Sequence, residues 1–287
     1  MTYLILGGNG QLGSEWNVAL SGKEKNVYSF NSAELDITNY DAVKAVIAKI
    51  HPDIIINCAA YTKVDEAEED RKKSEMINHL AVEILSKVCA DEGIKLVHYS
   101  TDYVFSGEVQ DQREFPDGYP ENAVKNPVNH YGKTKLNGEL AIQQSGASHL
   151  ILRVSWLCGA YGNNFVKTML RLVQERDTVS VVNDQFGAPT YCSEVVEQTM
   201  KLLENEQEGV FHLGSEGIVS WYDFACRIFE LSGVDVKVKE VSSSEFKTKA
   251  KRPHFSKLNT TKVEQALNAK SLHWETGLDQ LLKTINL

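Results

Sequence analysis

Through its first half this chain alternates short apolar runs with stretches of helical period, and that alternation restricts the fold more than any other feature. Tyr3 to Leu6, Asn26 to Phe30, Ile54 to Asn57, Leu96 to Ser100 and Leu150 to Val154 read as strands. Asp41 to Ile50, Arg71 to Asp91 and Tyr131 to Gln144 carry apolar residues at helical spacing, with Asn78, Ala81, Leu85 and Val88 forming one stripe. Asp36 to Asn39 supplies an N-cap for the first of these helices. Strands joined through helices pair in parallel, because the crossover returns the chain to the same edge with the same direction. The predicted architecture is α/β: a doubly wound parallel sheet with helices on both faces.

After Val154 the pattern loosens. Helices are predicted at about 164–175, 193–203 and 220–231, with a strand at Val210 to Leu213. The 287 residues therefore divide into a first domain, 1–157, and a smaller C-terminal lobe, 158–287, from which a strand near 209–214 returns to the main sheet. Residues 106–129 hold three of the six prolines and many charges, and read as a long surface loop of the kind that covers or binds a substrate.

Charge and cysteine usage narrow the function classes. A formal net charge of −9, with no run of five basic residues, argues against nucleic acid as a partner, while leaving room for a nucleotide held by backbone N–H groups. The apolar runs are too short to span a bilayer, and the start carries no signal-peptide pattern, so a cytoplasmic protein is expected. Five scattered cysteines without a C-x-x-C pair are expected to be buried free thiols.

Directly after the first strand stands Gly7-Gly8-Asn9-Gly10-Gln11-Leu12-Gly13, a G-x-x-G-x-x-G turn. Glycine at these positions permits a tight turn and close approach of a pyrophosphate, whose charge then meets the N-terminus of the next helix. That position makes the sheet a Rossmann-type, NAD(P)-binding one. The second strand ends at Asn31, followed by no carboxylate at the strand end and by no Arg or Lys before Asn39. NADPH is the expected cofactor, with NADH tolerated.

Two Y-x-x-x-K matches occur, Tyr40/Lys44 and Tyr131/Lys135, and spacing alone does not choose between them. Tyr40 opens the helix after the second strand, far from where a nicotinamide lies. Tyr131 opens a helix beyond the strand end Ser100-Thr101-Asp102-Tyr103, on the carboxyl side of the sheet where ligands of such folds bind. Four residues apart on a helix, Lys135 and Tyr131 share a face, so the ammonium is expected to lower the phenol's pKa and make it a general acid for a carbonyl oxygen. Thr101 adds a hydroxyl to that oxygen, and Lys135 also holds the nicotinamide ribose.

These residues carry a resemblance. Gly7 to Gly13, Asn57-Cys58-Ala59-Ala60-Tyr61-Thr62, Ser100 to Phe105 and Tyr131 to Leu136 together resemble the dTDP-4-dehydrorhamnose reductases, a branch of the extended short-chain dehydrogenase/reductase superfamily. Arg153-Val154-Ser155-Trp156, Gly162 to Phe165 with Thr168 to Leu172, Asp184 to Thr190 and Arg252-Pro253 continue it over essentially the whole chain. The resemblance implies reduction of the 4-keto group of dTDP-4-dehydro-β-L-rhamnose to dTDP-L-rhamnose, a cell-envelope sugar donor. It implies Tyr131, Lys135 and Thr101 as the catalytic set and Asp102 and Trp156 at the sugar, while Arg252 is the best-placed cation for the diphosphate. Gly7, Gly10, Gln11, Leu12, Asn31, Asp36, Ile37, Ala59, Ala60 and Tyr61 would line the cofactor.

The sequence departs from the family at Asn31, where Asp is usual, and at Cys58, where Ala is common. Some members bind Mg²⁺ through glutamates at a dimer contact, and Glu15 matches one of these; a homodimer is the symmetry-based expectation. Two other readings stand beside the reductase. Nucleotide-sugar dehydratases and epimerases share the Tyr/Lys pair, but dehydratases place Asp-Glu beside the threonine, where this chain has Asp102-Tyr103. A regulatory subunit of the methionine adenosyltransferase type is a binding protein on a similar chain.

Overall fold

The computed structural model describes residues 1–22 and 26–285. Strands β1 (Thr2–Leu6), β2 (Asn26–Phe30), β3 (Ile54–Asn57), β4 (Lys95–Thr101) and β5 (His149–Val154) form one sheet with the strand Gly209–His212. All neighbours pair in parallel, in the order β2-β1-β3-β4-β5 followed by Gly209–His212 at the edge. The order reverses between β1 and β3, which opens a crevice at the carboxyl ends of those two strands.

The helices are α1 (Gln11–Leu20), α2 (Tyr40–Ile50), α3 (Arg71–Glu75), α4 (Ala81–Glu92), α5 (Asp111–Glu114), α6 (His130–Ser145), α7 (Phe165–Leu172), α8 (Cys192–Glu204), α9 (Trp221–Leu231), α10 (Thr261–Leu267) and α11 (Trp274–Thr284). The period of two along β1 explains why both sheet faces are covered. Tyr3 and Ile5 point to one face, where they pack with Leu12 and Trp16 of α1 and Val195 of α8. Leu4 and Leu6 point to the other, against Val43 and Ile47 of α2, Leu85 of α4 and Ile142 of α6. Each such side chain contributes about 1.5–3 kcal/mol on leaving water. A third cluster, including Val166, Met169, Phe224, Ile228, Trp274 and Leu278, is the core of the C-terminal part.

Two expectations need correction. The stretch Arg71 to Asp91 is not one regular helix: a π-turn at Met76–Leu80 separates α3 from α4, and Asn78 within it turns its amide toward the backbone of Tyr61. Residues 106–129 are not a free surface loop. Phe105, Tyr119 and Ala123 are buried with Phe255 and Leu258, and Tyr119 bridges Leu258 in parallel register. Proline and charge suggested solvent; the aromatic residues between them decided the packing.

One buried ion pair ties the helical layer to the sheet. Arg153 on β5 meets Glu139 on α6 through Nε–Oε1 at 2.9 Å and Nη2–Oε2 at 2.7 Å, and both side chains are 1% exposed. Ser100 on β4 donates to the same carboxylate at 2.5 Å, and Arg153 Nη1 donates to the Glu121 carbonyl at 3.0 Å. Removing one partner of such a pair leaves an uncompensated charge out of water. Arg153→Met is therefore expected to lower unfolding free energy in urea by about 3–5 kcal/mol, with Arg153→Met/Glu139→Leu recovering most of it. A double variant as unstable as the single one would show that the charge is not what is lost.

Candidate active site

The glycine turn is shaped by contacts that a side chain would close. Gly7 has φ of +79°, and a Cβ there would lie 2.7 Å from the Ala59 nitrogen. A Cβ on Gly13 would lie 2.2 Å from the Gly7 carbonyl oxygen, so the turn of α1 sits directly on the end of β1. Gly10 is the N-cap residue of α1, and no side chain caps that helix. The helix N-terminus is thereby left open toward the crevice, with its backbone donors and partial positive charge available to an anion.

There a cavity of about 590 Å³ is lined by Gly10, Gln11, Leu12, Ala59, Ala60, Thr101, Asp102, Tyr131, Lys135 and Trp156 among others. Of the residues singled out in the sequence, these are brought together. Several others are placed elsewhere. Gly7 shapes the turn from below. Tyr61 is buried against Ala67 and Tyr131, supporting the phenol from behind. Asp36 is exposed and accepts from the Thr38 N–H and hydroxyl, and Ile37 packs into the core. Arg252 is engaged by Asp65 at 2.6 Å and by the Tyr103 hydroxyl at 3.2 Å, so it does not line the cavity. Tyr40 and Lys44 form a surface pair, with the ammonium 5.8 Å from the ring centre.

At the end of β2 the structure corrects the sequence reading. Asn31 accepts from the N–H groups of Ala33 and Glu34, and this turn brings Glu34 back so that its Oε2 accepts from the Asn31 N–H at 2.9 Å. A carboxylate does stand there, supplied by the turn and not by the strand.

Thr101, Asp102, Tyr131 and Lys135 are all buried. Thr101 donates to Asp102 Oδ1 at 2.9 Å and accepts from the Tyr103 N–H at 3.2 Å. Asp102 Oδ2 is itself buried, with the Ser256 and Ser155 hydroxyls as its polar surroundings. Burial raises the Asp102 carboxyl to about 6, against hydroxyls led by Thr101 that pull it down. Burial also pushes the Tyr131 phenol up, with the Thr101 hydroxyl opposing and Asp102 and Tyr103 adding to the rise. Lys135 is lowered to about 8 by burial, against the pull of Glu139. Its Nζ faces the Tyr99 carbonyl at 2.6 Å and His98 Nε2 at 3.1 Å. The expected lowering of the phenol by Lys135 is thus absent: desolvation governs both groups, and the amine is engaged by β4.

Trp156 has φ of +48°, a left-handed conformation that bulky residues seldom adopt. It is held by stacking on Trp221, ring centres 3.5 Å apart, and by Gly187, where a Cβ would come within 2.8 Å of the indole. Sequence reasoning missed Lys63, Val64 and Leu157 as lining residues, and His98 behind the lysine. Asn164 caps α7 and also donates to Gln11 Oε1 at 3.0 Å, joining the second-half motif to the glycine turn.

Within a single chain Glu15 stands without further metal ligands among the described residues. The hollow beside it is lined by no second carboxylate and includes Lys283, and among the described residues no cluster of three His, Cys, Asp or Glu could hold an ion. Mg²⁺ takes a set of oxygen ligands, so a site at Glu15 would draw the rest of its ligands from a second copy at a dimer contact.

Residues 1–287 match the family described as the RmlD substrate binding domain. The chain belongs to this family. It is 37% identical to a dTDP-4-dehydrorhamnose reductase of Escherichia coli strain K12, over 99% of this chain and 98% of that protein. It is equally 37% identical to a dTDP-4-keto-6-deoxy-D-glucose reductase of Streptomyces niveus, over 99% and 97%. A crystal structure of dTDP-4-dehydrorhamnose reductase from Bacillus anthracis strain Ames in complex with NADP superposes with a TM-score of 0.94 at 39% identity, covering 99% of each chain. For an RmlD-family chain the buried Asp102 has a measurable consequence. Its carboxyl titrates near 3.8 when unfolded and about 6 when folded, so the folded state binds more protons between those values. The stability this provides is complete below about pH 4 and is lost as pH rises through 6. Asp102→Asn should therefore unfold at higher temperature than wild type at pH 7.5, by a margin of up to about 3 kcal/mol, and show no gain at pH 4. An equal advantage at both pH values would mean that the carboxyl is not strained by burial.

Proposed function

We propose that this chain reduces the 4-keto group of dTDP-4-dehydro-β-L-rhamnose, giving dTDP-L-rhamnose, with NADPH as preferred reductant and NADH tolerated. The observation that carries this reading is the convergence of Thr101, Tyr131 and Lys135 on one cavity whose far wall is an uncapped helix N-terminus. The glycine cradle and the open end of α1 fit a pyrophosphate, with Gly10, Gln11, Leu12, Ala59 and Ala60 holding the dinucleotide. When bound, the reduced nicotinamide supplies the hydride that the substrate carbon takes up.

The chain's own residues supply the proton and the geometry. Tyr131 stays protonated because it is buried, and its phenolic proton passes to the carbonyl oxygen as that oxygen gains charge. The single proton of the Thr101 hydroxyl is held by Asp102 Oδ1 in the empty site and reaches the same oxygen by turning away from that carboxylate. Asp102 and Trp156 line the same cavity, a carboxyl for a sugar hydroxyl and an indole for an apolar sugar face. Glu34, one oxygen of which is taken by the Asn31 N–H, accounts for tolerance of a free ribose 2′-hydroxyl. The reading carries with it a cytoplasmic location and a homodimer, the commonest closed assembly.

A second sugar is favoured by one finding, the Streptomyces niveus relative named for dTDP-4-keto-6-deoxy-D-glucose. Loss of NADPH absorbance with each of the two keto-sugars separates the readings. Turnover with the rhamnose precursor, reduced about 10²–10⁴-fold in Tyr131→Phe with little change in sugar KM, is the expected result. Turnover with the glucose-derived sugar alone would reassign the substrate, and oxidation with neither sugar nor either cofactor would overturn the reductase.

A further inference from the structure

Behind Lys135 runs a line of hydrogen bonds whose polarity is set from one end. The Ala59 N–H can only donate, and it meets Asn57 Oδ1 at 3.1 Å. That fixes the Asn57 amide, so its Nδ2 donates to His98 Nδ1 at 3.1 Å. An imidazole accepting at Nδ1 carries its proton on Nε2. Nε2 faces Lys135 Nζ at 3.1 Å, and Nζ in turn donates to the Tyr99 carbonyl at 2.6 Å. An ammonium has no lone pair with which to accept from Nε2–H; an amine has one.

We propose that His98 gates the charge of Lys135: in the cofactor-free protein the hydrogen bonds are all satisfied only when Lys135 is a neutral amine, and charging it obliges the His98 proton to leave Nε2 for Nδ1. The surroundings agree. His98 is 0% exposed and Lys135 2%, so neither charge is hydrated. Burial, and then the Lys135 charge, hold the imidazole well below its usual pKa, so it does not become a cation itself. From the lysine's own helix, Glu139 favours the ammonium, but its carboxylate is taken up by Arg153 and Ser100. Tyr131 from that helix and Cys58 from the end of β3 are both pushed up by burial and stay uncharged, while Asp102 adds a carboxyl beyond the end of β4.

The inference rests on the reductase reading only for its use there. A neutral Lys135 places no positive charge beside the Tyr131 phenol to stabilise a phenolate, so burial keeps the acid loaded. A ligand that sets acceptors before Nζ favours the ammonium, which takes up one proton from solvent. His98 acts through Lys135 and is a positioning residue.

Nitrogen NMR of the cofactor-free protein labelled with ¹⁵N-histidine tests this without substrate or turnover, so its failure is separate from failure of the reductase reading. The His98 signal is the one missing in His98→Asn or, should that variant not fold, the one that moves in Lys135→Met. At pH 9 the Nε2–H tautomer is expected. On acidification it converts to Nδ1–H with a midpoint at or below about 8, and Lys135→Met abolishes the conversion. Nε2–H throughout pH 6 to 9 upholds the proposal only where the Lys135 Nζ signal of ¹⁵N-lysine-labelled protein stays that of an amine; an ammonium beside Nε2–H would overturn it. Nδ1–H at pH 9, or a conversion that survives Lys135→Met, would overturn it.

Discussion

The placement of the site depends on the bidentate contact between Arg153 and Glu139. It fastens α6 to β4 and β5 from inside the protein, where neither charge reaches water. Glu139 lies one turn beyond Lys135 and two turns beyond Tyr131 on α6, so the contact that fixes the helix also fixes the register of both groups over the carboxyl end of the sheet. Apolar packing of Ile142 would hold the same helix to the same face, but would tolerate small rotations. Two parallel hydrogen bonds between planar groups do not.

At the other wall of the cavity the determinant is the absence of side chains. A Cβ on Gly7 or Gly13 would collide with backbone, not with the movable end of a side chain, so relaxation would shift β1, α1 or the turn after β3. The same economy recurs in the second half, where Gly187 lets Trp156 lie flat on Trp221 in a left-handed backbone conformation. Polar contacts then join the two halves, among them Asn164 to Gln11 beside the glycine turn and Arg252 to Asp65.

Much of this was legible in the sequence because it is periodic or locally determined. The strands of the first half follow from period two, α2 from its stripe and from Asn39, whose side chain accepts from the Ala42 N–H, and the glycine turn from its place after β1. What was not legible depended on partners distant in the chain. The burial of Tyr119 needs Phe255 and Leu258, and the engagement of Arg252 needs Asp65. Glu34 could be seen but not placed, because a four-residue turn carries it back to the strand end. His98 carried no signal, being one more residue of a buried strand until Lys135 arrives from 37 positions away.

Burial also explains the chemistry better than pairing does. Desolvation is the first cause acting on Asp102, Lys135, Tyr131 and His98, and in each it favours the uncharged form. Burial thereby brings the two groups toward neutral pH from opposite sides, Asp102 to about 6 and Lys135 to about 8, each within reach of a change in its neighbours. A phenol between two such groups retains its proton until an oxygen arrives to take it. Asp102 then couples the acid to its surroundings: its Oδ1 accepts from the Thr101 hydroxyl, so the charge of that carboxyl governs which way the hydroxyl proton points.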